Sequence, residues 1–143
     1  MAIVGRLLFT IGILMVCAPS GNAQTILKWT QLAQVNFAAA ETDEGIPQFD
    51  ATLEEMDGQI VQIQGYMLPL TVDNQRYVLS RFPFYNCYFC GNAGRETVIE
   101  LRPTDTDWEF DIDDKVWIEG RLKLVPDPEG LIYELLEAKE IKP

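Results

Sequence analysis

Cys87 and Cys90 stand three residues apart in Cys-Tyr-Phe-Cys-Gly, and this is the constellation in the chain most able to do chemistry. The spacing supports three kinds. A disulfide would close a very short loop and stabilise little, because a short loop has little closure entropy to remove. Two thiolates turned toward one soft ion would make half of a Cys-ligated zinc or iron site, with Gly91 letting backbone amides face the sulfurs. The chain has no histidine, so the remaining ligands would have to be carboxylates, water or groups of a second subunit. The third is a thiol-disulfide oxidoreductase with Cys87 and Cys90 as its redox pair. Such pairs usually lower one thiol pKa with a helix N-terminus. Here Gly91-Asn92-Ala93-Gly94 leads into a β-branched strand, leaving Arg81 and Arg95 as the sources of positive potential. All three readings stay open. The absence of imidazole also excludes Ser/His/Asp and Cys/His nucleophilic machinery, and the lack of a helix N-terminus and a βαβ pattern around the cysteines ranks an enzyme below a binder.

Phe82, Phe84, Tyr85, Tyr88 and Phe89 crowd the approach to the cysteines. They serve either as core covering one end of the fold or as a partner surface on which a ligand or protein stacks. Between positions 76 and 102 lie Arg76, Arg81, Arg95 and Arg102 against only Glu96 and Glu100, in a chain whose net charge is -11. An anion or acidic partner would find positive potential there, although scattered arginines are also what solvated strand faces carry. The overall charge repels phosphate backbones and excludes nucleic acid as an expected partner.

Asp105, Asp107, Glu109, Asp111 and Asp113 alternate with Thr106, Trp108, Phe110 and Ile112. Carboxylates at every second residue suit calcium, but the segment lacks the glycine and closing glutamate of an EF-hand loop. The same pattern is what the wet side of an extended segment looks like.

These groups must be held by one domain, since 143 residues leave little room for two cores. Residues 1–23 read as a secretory signal peptide: Arg6, an uncharged apolar run from Leu7 to Ala18, and a small-residue exit at Gly21 and Ala23. Cleavage near Ala23 would leave a mature domain from Gln24, 24–143, in a periplasmic or secreted location and without stable membrane insertion. A lipoprotein anchored through Cys17 is the lesser alternative, because the bulky Val16 precedes it. About 120 residues can bury roughly two-thirds of their unfolded surface, enough to fold without staples.

Trp29, Leu32, Val35 and Phe37 fall near helical spacing between Lys28 and Ala40, before the breakers Thr42 to Pro47. Asp50 caps a second turn through Met56, and Asp57-Gly58 turns the chain. Strands follow: Ile60 to Pro69, with Gly65 marking a bulge or bend; Tyr77–Ser80; Thr97–Leu101; Lys115–Val125, apolar at Val116, Ile118, Gly120, Leu122 and Leu124; and Leu131–Ile141 after the turn at Asp127–Gly130. One or two short N-terminal helices and five closely spaced strands predict a mainly β chain, a small five-stranded Greek-key OB-like barrel, with a split sandwich as the alternative.

Four blocks resemble an exported bacterial family of uncharacterised proteins, domain of unknown function 3299. They are Lys28-Trp29-Thr30-Gln31-Leu32; Leu53 to Leu70, with Asp57-Gly58-Gln59-Ile60-Val61 and Gly65-Tyr66-Met67-Leu68-Pro69-Leu70; Tyr77-Val78-Leu79 leading to Phe84-Tyr85-Asn86-Cys87; and Val116 to Leu122. The family pattern continues after its cysteine into a histidine and prolines. This chain departs there, so Cys87 alone carries over. The resemblance implies a small exported OB-like protein without a settled activity, serving an envelope or transport-linked system. The expectation is therefore a non-enzymatic binding or accessory module with a protein partner in the cell envelope, working through the loop from Phe82 to Gly94.

Overall fold

The computed structural model of the chain describes residues 25–40, 45–71, 76–105 and 107–142. The signal-peptide segment, with Cys17 and Ala23, lies outside the described residues. The elements are β1 (Thr25–Ile26), α1 (Trp29–Leu32), β2 (Asn36–Ala38), β3 (Ile46–Gln48), α2 (Ala51–Met56), β4 (Ile60–Thr71), β5 (Arg76–Ser80), β6 (Val98–Pro103), β7 (Lys115–Leu124) and β8 (Tyr133–Ile141). Among the described residues no helix is long and apolar enough to cross a membrane.

β4 closes the structure because it pairs with two strands in succession. Ile60–Tyr66 run antiparallel to β7, and from Tyr66 onward the strand pairs with β5 instead. The circuit β4-β5-β6-β8-β7 returns to β4, with β6 and β8 the one parallel pair in it. This is the five-stranded OB-type barrel that the strand spacing predicts, and the β4–β7 ladder rules out a split sandwich. β1 lies parallel to β4 beside Val61 and Gln62.

Gly65 sits where β4 changes partners. A Cβ there would meet the Ser80 carbonyl oxygen at 2.7 Å, Leu79 Cγ at 2.8 Å and Trp29 Cζ2 at 3.1 Å. The glycine is thus a close-approach position. The register irregularity of this strand falls later, between Pro69 and Thr71. Trp29 crosses over the bend and donates its indole N–H to the Gln64 carbonyl at 2.7 Å, fastening α1 to the barrel wall.

α2 begins as expected: the Asp50 carboxylate accepts the Leu53 amide at 2.9 Å, and Leu53 and Met56 are buried. The first helix is shorter than the spacing through Phe37 suggests. It ends at Leu32, and Asn36–Ala38 form a hairpin with β3. Phe37 leaves the helical stripe because its ring lies against the Arg95 guanidinium, 4.9 Å away; a distant cation outweighs weak local propensity. Tyr133, fully buried, donates its hydroxyl to the Leu32 carbonyl at 2.7 Å and pins the helix end to the barrel.

β7 alternates as its sequence reads, with Val116, Ile118, Gly120 and Leu122 inside. β5 and β6 do not alternate, because both of their faces are buried. Leu79 and Ile99 point into the main core, whereas Val78 and Val98 join Leu68 of β4 and Cys87 in a second, smaller cluster. An outer barrel face is normally half wet; this part of it is roofed by the connection from β5 to β6.

Substitution of Gly65 by Ala should destabilise the protein by about 1–3 kcal/mol, since a backbone oxygen and the indole must give way together. Urea unfolding at equilibrium measures this, and an unchanged midpoint would contradict the close approach.

Candidate functional site

The β5–β6 connection carries Cys87, Cys90, the five crowded aromatics, Arg81 and Arg95. It leaves β5 through Ser80, whose hydroxyl donates to the Phe82 carbonyl at 2.7 Å and accepts the Phe82 amide at 3.1 Å. It then makes three single 3-10 turns, Phe84–Asn86, Tyr88–Cys90 and Arg95–Thr97, before entering β6. Gly91 ends the middle turn in the left-handed region, at φ 73°.

Cys87 is the peg of this loop. Its side chain has no solvent exposure and packs with Leu68, Val78 and Val98, while Tyr88 and Leu131 lean on the same cluster. Its carbonyl accepts the amides of Cys90 at 3.2 Å and Asn92 at 3.4 Å. The loop is laced from outside as well. The Asn92 side-chain amide donates to the Tyr85 carbonyl at 2.7 Å. The Asp113 carboxylate, on a residue with φ 69°, accepts the Phe84 amide at 2.7 Å.

Cys87 and Cys90 are both free thiols, the first buried and the second exposed. The disulfide expected for an oxidising compartment is not formed. The Cys90 Sγ–H donates to the Phe84 carbonyl at 3.0 Å. Partial desolvation and then the potential of Cys87 push the Cys90 thiol above its ordinary pKa. That is the opposite of an activated nucleophile.

Among the described residues no group of three or more Cys, Asp or Glu side chains could hold an ion, so the described carboxylates of this chain do not complete a site with the cysteine pair. The acids of the calcium row at Asp107, Glu109 and Asp111 lie on the exposed side of the chain, whereas Asp113 sits in a turn at φ 69°. Trp108 and Phe110 turn inward onto Tyr77, with ring centroids at 5.4 and 6.2 Å, and the intervening acids face outward.

The aromatics divide by depth. Tyr88 and Phe82 are half-buried, whereas Phe84, Phe89 and above all Tyr85, 81% exposed, face solvent. The arginines divide further. Arg76 and Arg102 flank Glu100 at 2.8 and 3.4 Å, and Arg102 continues to Glu134 at 3.0 Å. Arg95 corrects the sequence reading most sharply, because it is 3% exposed and faces inward rather than toward a partner. Its guanidinium donates to the carbonyls of Asp127 at 2.9 Å, Gly130 at 3.1 Å and Gly45 at 2.6 Å. It ties the loop's exit to the β2–β3 hairpin and the β7–β8 turn. Arg81 keeps a surface position, stacked on Phe82 at 5.1 Å. The positive potential inferred from charge counting is thus mostly consumed internally, and an anion site has little support.

Sequence reading missed Asp113 and Asn92 as loop supports. Asp113 had a signal, an acidic residue before Asp114 in a turn, but it was absorbed into the alternating row. A groove of about 480 Å³ lies elsewhere, on the sheet near Ile26, Trp117 and Ile141. Three of its polar groups engage one another: Gln62 donates to Glu119 at 2.7 Å, and Lys139 pairs with Glu119 at 2.7 Å.

The topology defines a mainly β, OB-type barrel with two short helices in front of it. Compared with solved structures, the chain is similar in fold to a DUF3299-family protein from Pseudomonas aeruginosa PAO1. The TM-score is 0.54 at 15% identity, covering 85% of this chain and 98% of that one. The likeness expected from the four sequence blocks is met at the level of fold. No family model and no curated protein matches the sequence.

Replacing Arg95 by Met should cost about 2–4 kcal/mol in chemical denaturation, since three carbonyls lose a charged donor; a loss below about 0.5 kcal/mol would return Arg95 to the surface. Iodoacetamide alkylation of Cys90 requires the thiolate, and the raised pKa delays its formation. The rate should therefore still be climbing at a pH where a free cysteine peptide has levelled off. A plateau at or below the peptide's would refute the shift.

Proposed function

We propose that the chain is a non-catalytic docking module acting outside the cytosol, in the cell envelope. Its contact surface is the aromatic tip Phe84, Tyr85 and Phe89. Its partner is a protein offering an apolar cleft with a basic rim. The observation that carries this reading is the exposure of Tyr85 beside two further exposed rings on a backbone tied down at both faces. Rings held in place lose little entropy on binding, and such residues dominate interface energetics. A loop serving as cover alone would bury these rings as it buries Cys87.

The basic rim follows from charge. The chain carries -11, and Arg76, Arg95 and Arg102 are engaged within the molecule. A cationic partner is therefore steered toward this surface and an anionic one is not. A catalytic oxidoreductase is less well supported, because the raised Cys90 pKa disfavours the thiolate that rapid turnover needs.

Photo-crosslinking in cells that make the protein tests the proposal. A photoreactive residue at position 85 or 89 should yield one discrete protein adduct, and the same residue at the exposed positions Glu55 or Arg121 should not. Tyr85→Ala with Phe89→Ala should remove an adduct formed from position 84, while each change shifts stability by no more than about 0.5 kcal/mol. No adduct from the loop, or equal yields from loop and control positions, would overturn the docking reading. An adduct whose yield is indifferent to salt would overturn the basic rim.

A further inference from the structure

Cys87 and Cys90 occupy the first and fourth positions of a single tight turn, closed by the Cys90 amide on the Cys87 carbonyl at 3.2 Å. A turn of this pitch eclipses side chains three residues apart, which sets the two thiols on the same side of the turn. The pair is asymmetric. Cys90 faces water, whereas Cys87 lies beneath it in the apolar cluster of Leu68, Val78 and Val98. A buried thiol that served only as a peg would not require a second, exposed cysteine three residues on in the same turn.

We propose that Cys87 and Cys90 form a reversible thiol–disulfide couple, oxidised by small disulfides, in which Cys90 is the entry sulfur and Cys87 the resolving sulfur. Cys90 gives its proton to water, and its thiolate attacks one sulfur of a disulfide R–S–S–R. The reagent's S–S bond breaks, one RS⁻ leaves and is protonated, and Cys90 carries a mixed disulfide. Cys87 then loses its proton and attacks the Cys90 sulfur. This forms the Cys87–Cys90 bond and expels the second RS⁻, which is protonated in turn. Two electrons pass from the protein's two thiols to the reagent, and two RSH are released. Excess dithiol reverses both steps. Burial protects Cys87 from direct attack, so the order of events is set by depth. Oxidation also removes the Cys90 thiol proton that now binds the Phe84 carbonyl. The couple rests on the shared turn and the unequal depth of the two cysteines and is independent of the docking reading.

The test incubates the purified protein with excess oxidised glutathione and reads the tryptic peptide 82–95, which contains both sulfurs, by mass spectrometry. The wild-type peptide should lose two hydrogens, retain no glutathione, and regain both thiols with dithiothreitol. Cys87→Ala should hold one glutathione on Cys90, and Cys90→Ala should react at least about tenfold more slowly while folded. A wild-type peptide that accumulates glutathione, or that stays as two thiols, would overturn the couple. A Cys90→Ala peptide modified as fast as Cys87→Ala would overturn the assignment of roles. Thermal unfolding checks each variant, and if either fails to fold the wild-type result decides alone.

Discussion

β4 has to be a member of two ladders, and the rest of the molecule depends on that constraint. One strand can close a five-stranded barrel only by turning from one neighbour to the other, and it does so across Gly65, where β5 and the indole of Trp29 approach too closely for any side chain. Trp29, packed against the main core, reads the bend by bonding the Gln64 carbonyl. In one place the close approach joins barrel closure to the docking of the N-terminal helix.

Closure has a consequence for the β5–β6 connection. Where β4, β5 and β6 lie side by side, they carry apolar side chains on both faces, Leu79 and Ile99 inward and Leu68, Val78 and Val98 outward. The outward set needs a cover, and the connection supplies it by sinking Cys87 among them. Burying a small apolar thiol and a charged Arg95 within ten residues fixes the loop at two depths, the first by packing and the second by a cradle of carbonyls. The rings on either side of Cys87 have nowhere inside to go. Phe84, Tyr85 and Phe89 are displayed because the positions that point inward are already taken by Cys87 and, in part, Tyr88. Arg95 carries its charge into this setting because its donors are matched; such a group is tolerated only where its hydrogen bonds are made.

Much of this was legible in the residues. The alternation of β7, the Asp50 cap, the Asp57-Gly58 turn and the hairpin into β8 are local patterns, and local physics decides them. The barrel followed from strand count and spacing. What was not legible depends on partners far along the chain. Arg95 looks like a surface cation until it meets Gly45, fifty residues earlier, and the carbonyls of Asp127 and Gly130. Phe37 looks helical until that same arginine faces it. Val78-Leu79 and Val98-Ile99 read simply as strand; that both faces are covered depends on a loop whose own burial no periodicity reports. The Cys-x-x-Cys spacing told that two sulfurs would be near each other, but not that one would be core and the other surface.

The account turns on the loop being an anchored platform rather than a loose cover, and amide hydrogen exchange across residues 84–92 of the native protein tests this most directly. The amides of Cys87, Cys90, Gly91 and Asn92 each have a carbonyl acceptor within the loop. The account predicts that they exchange at least about tenfold more slowly than in the unfolded chain. Exchange at the unfolded rate across this segment, with the barrel strands still protected, would contradict it.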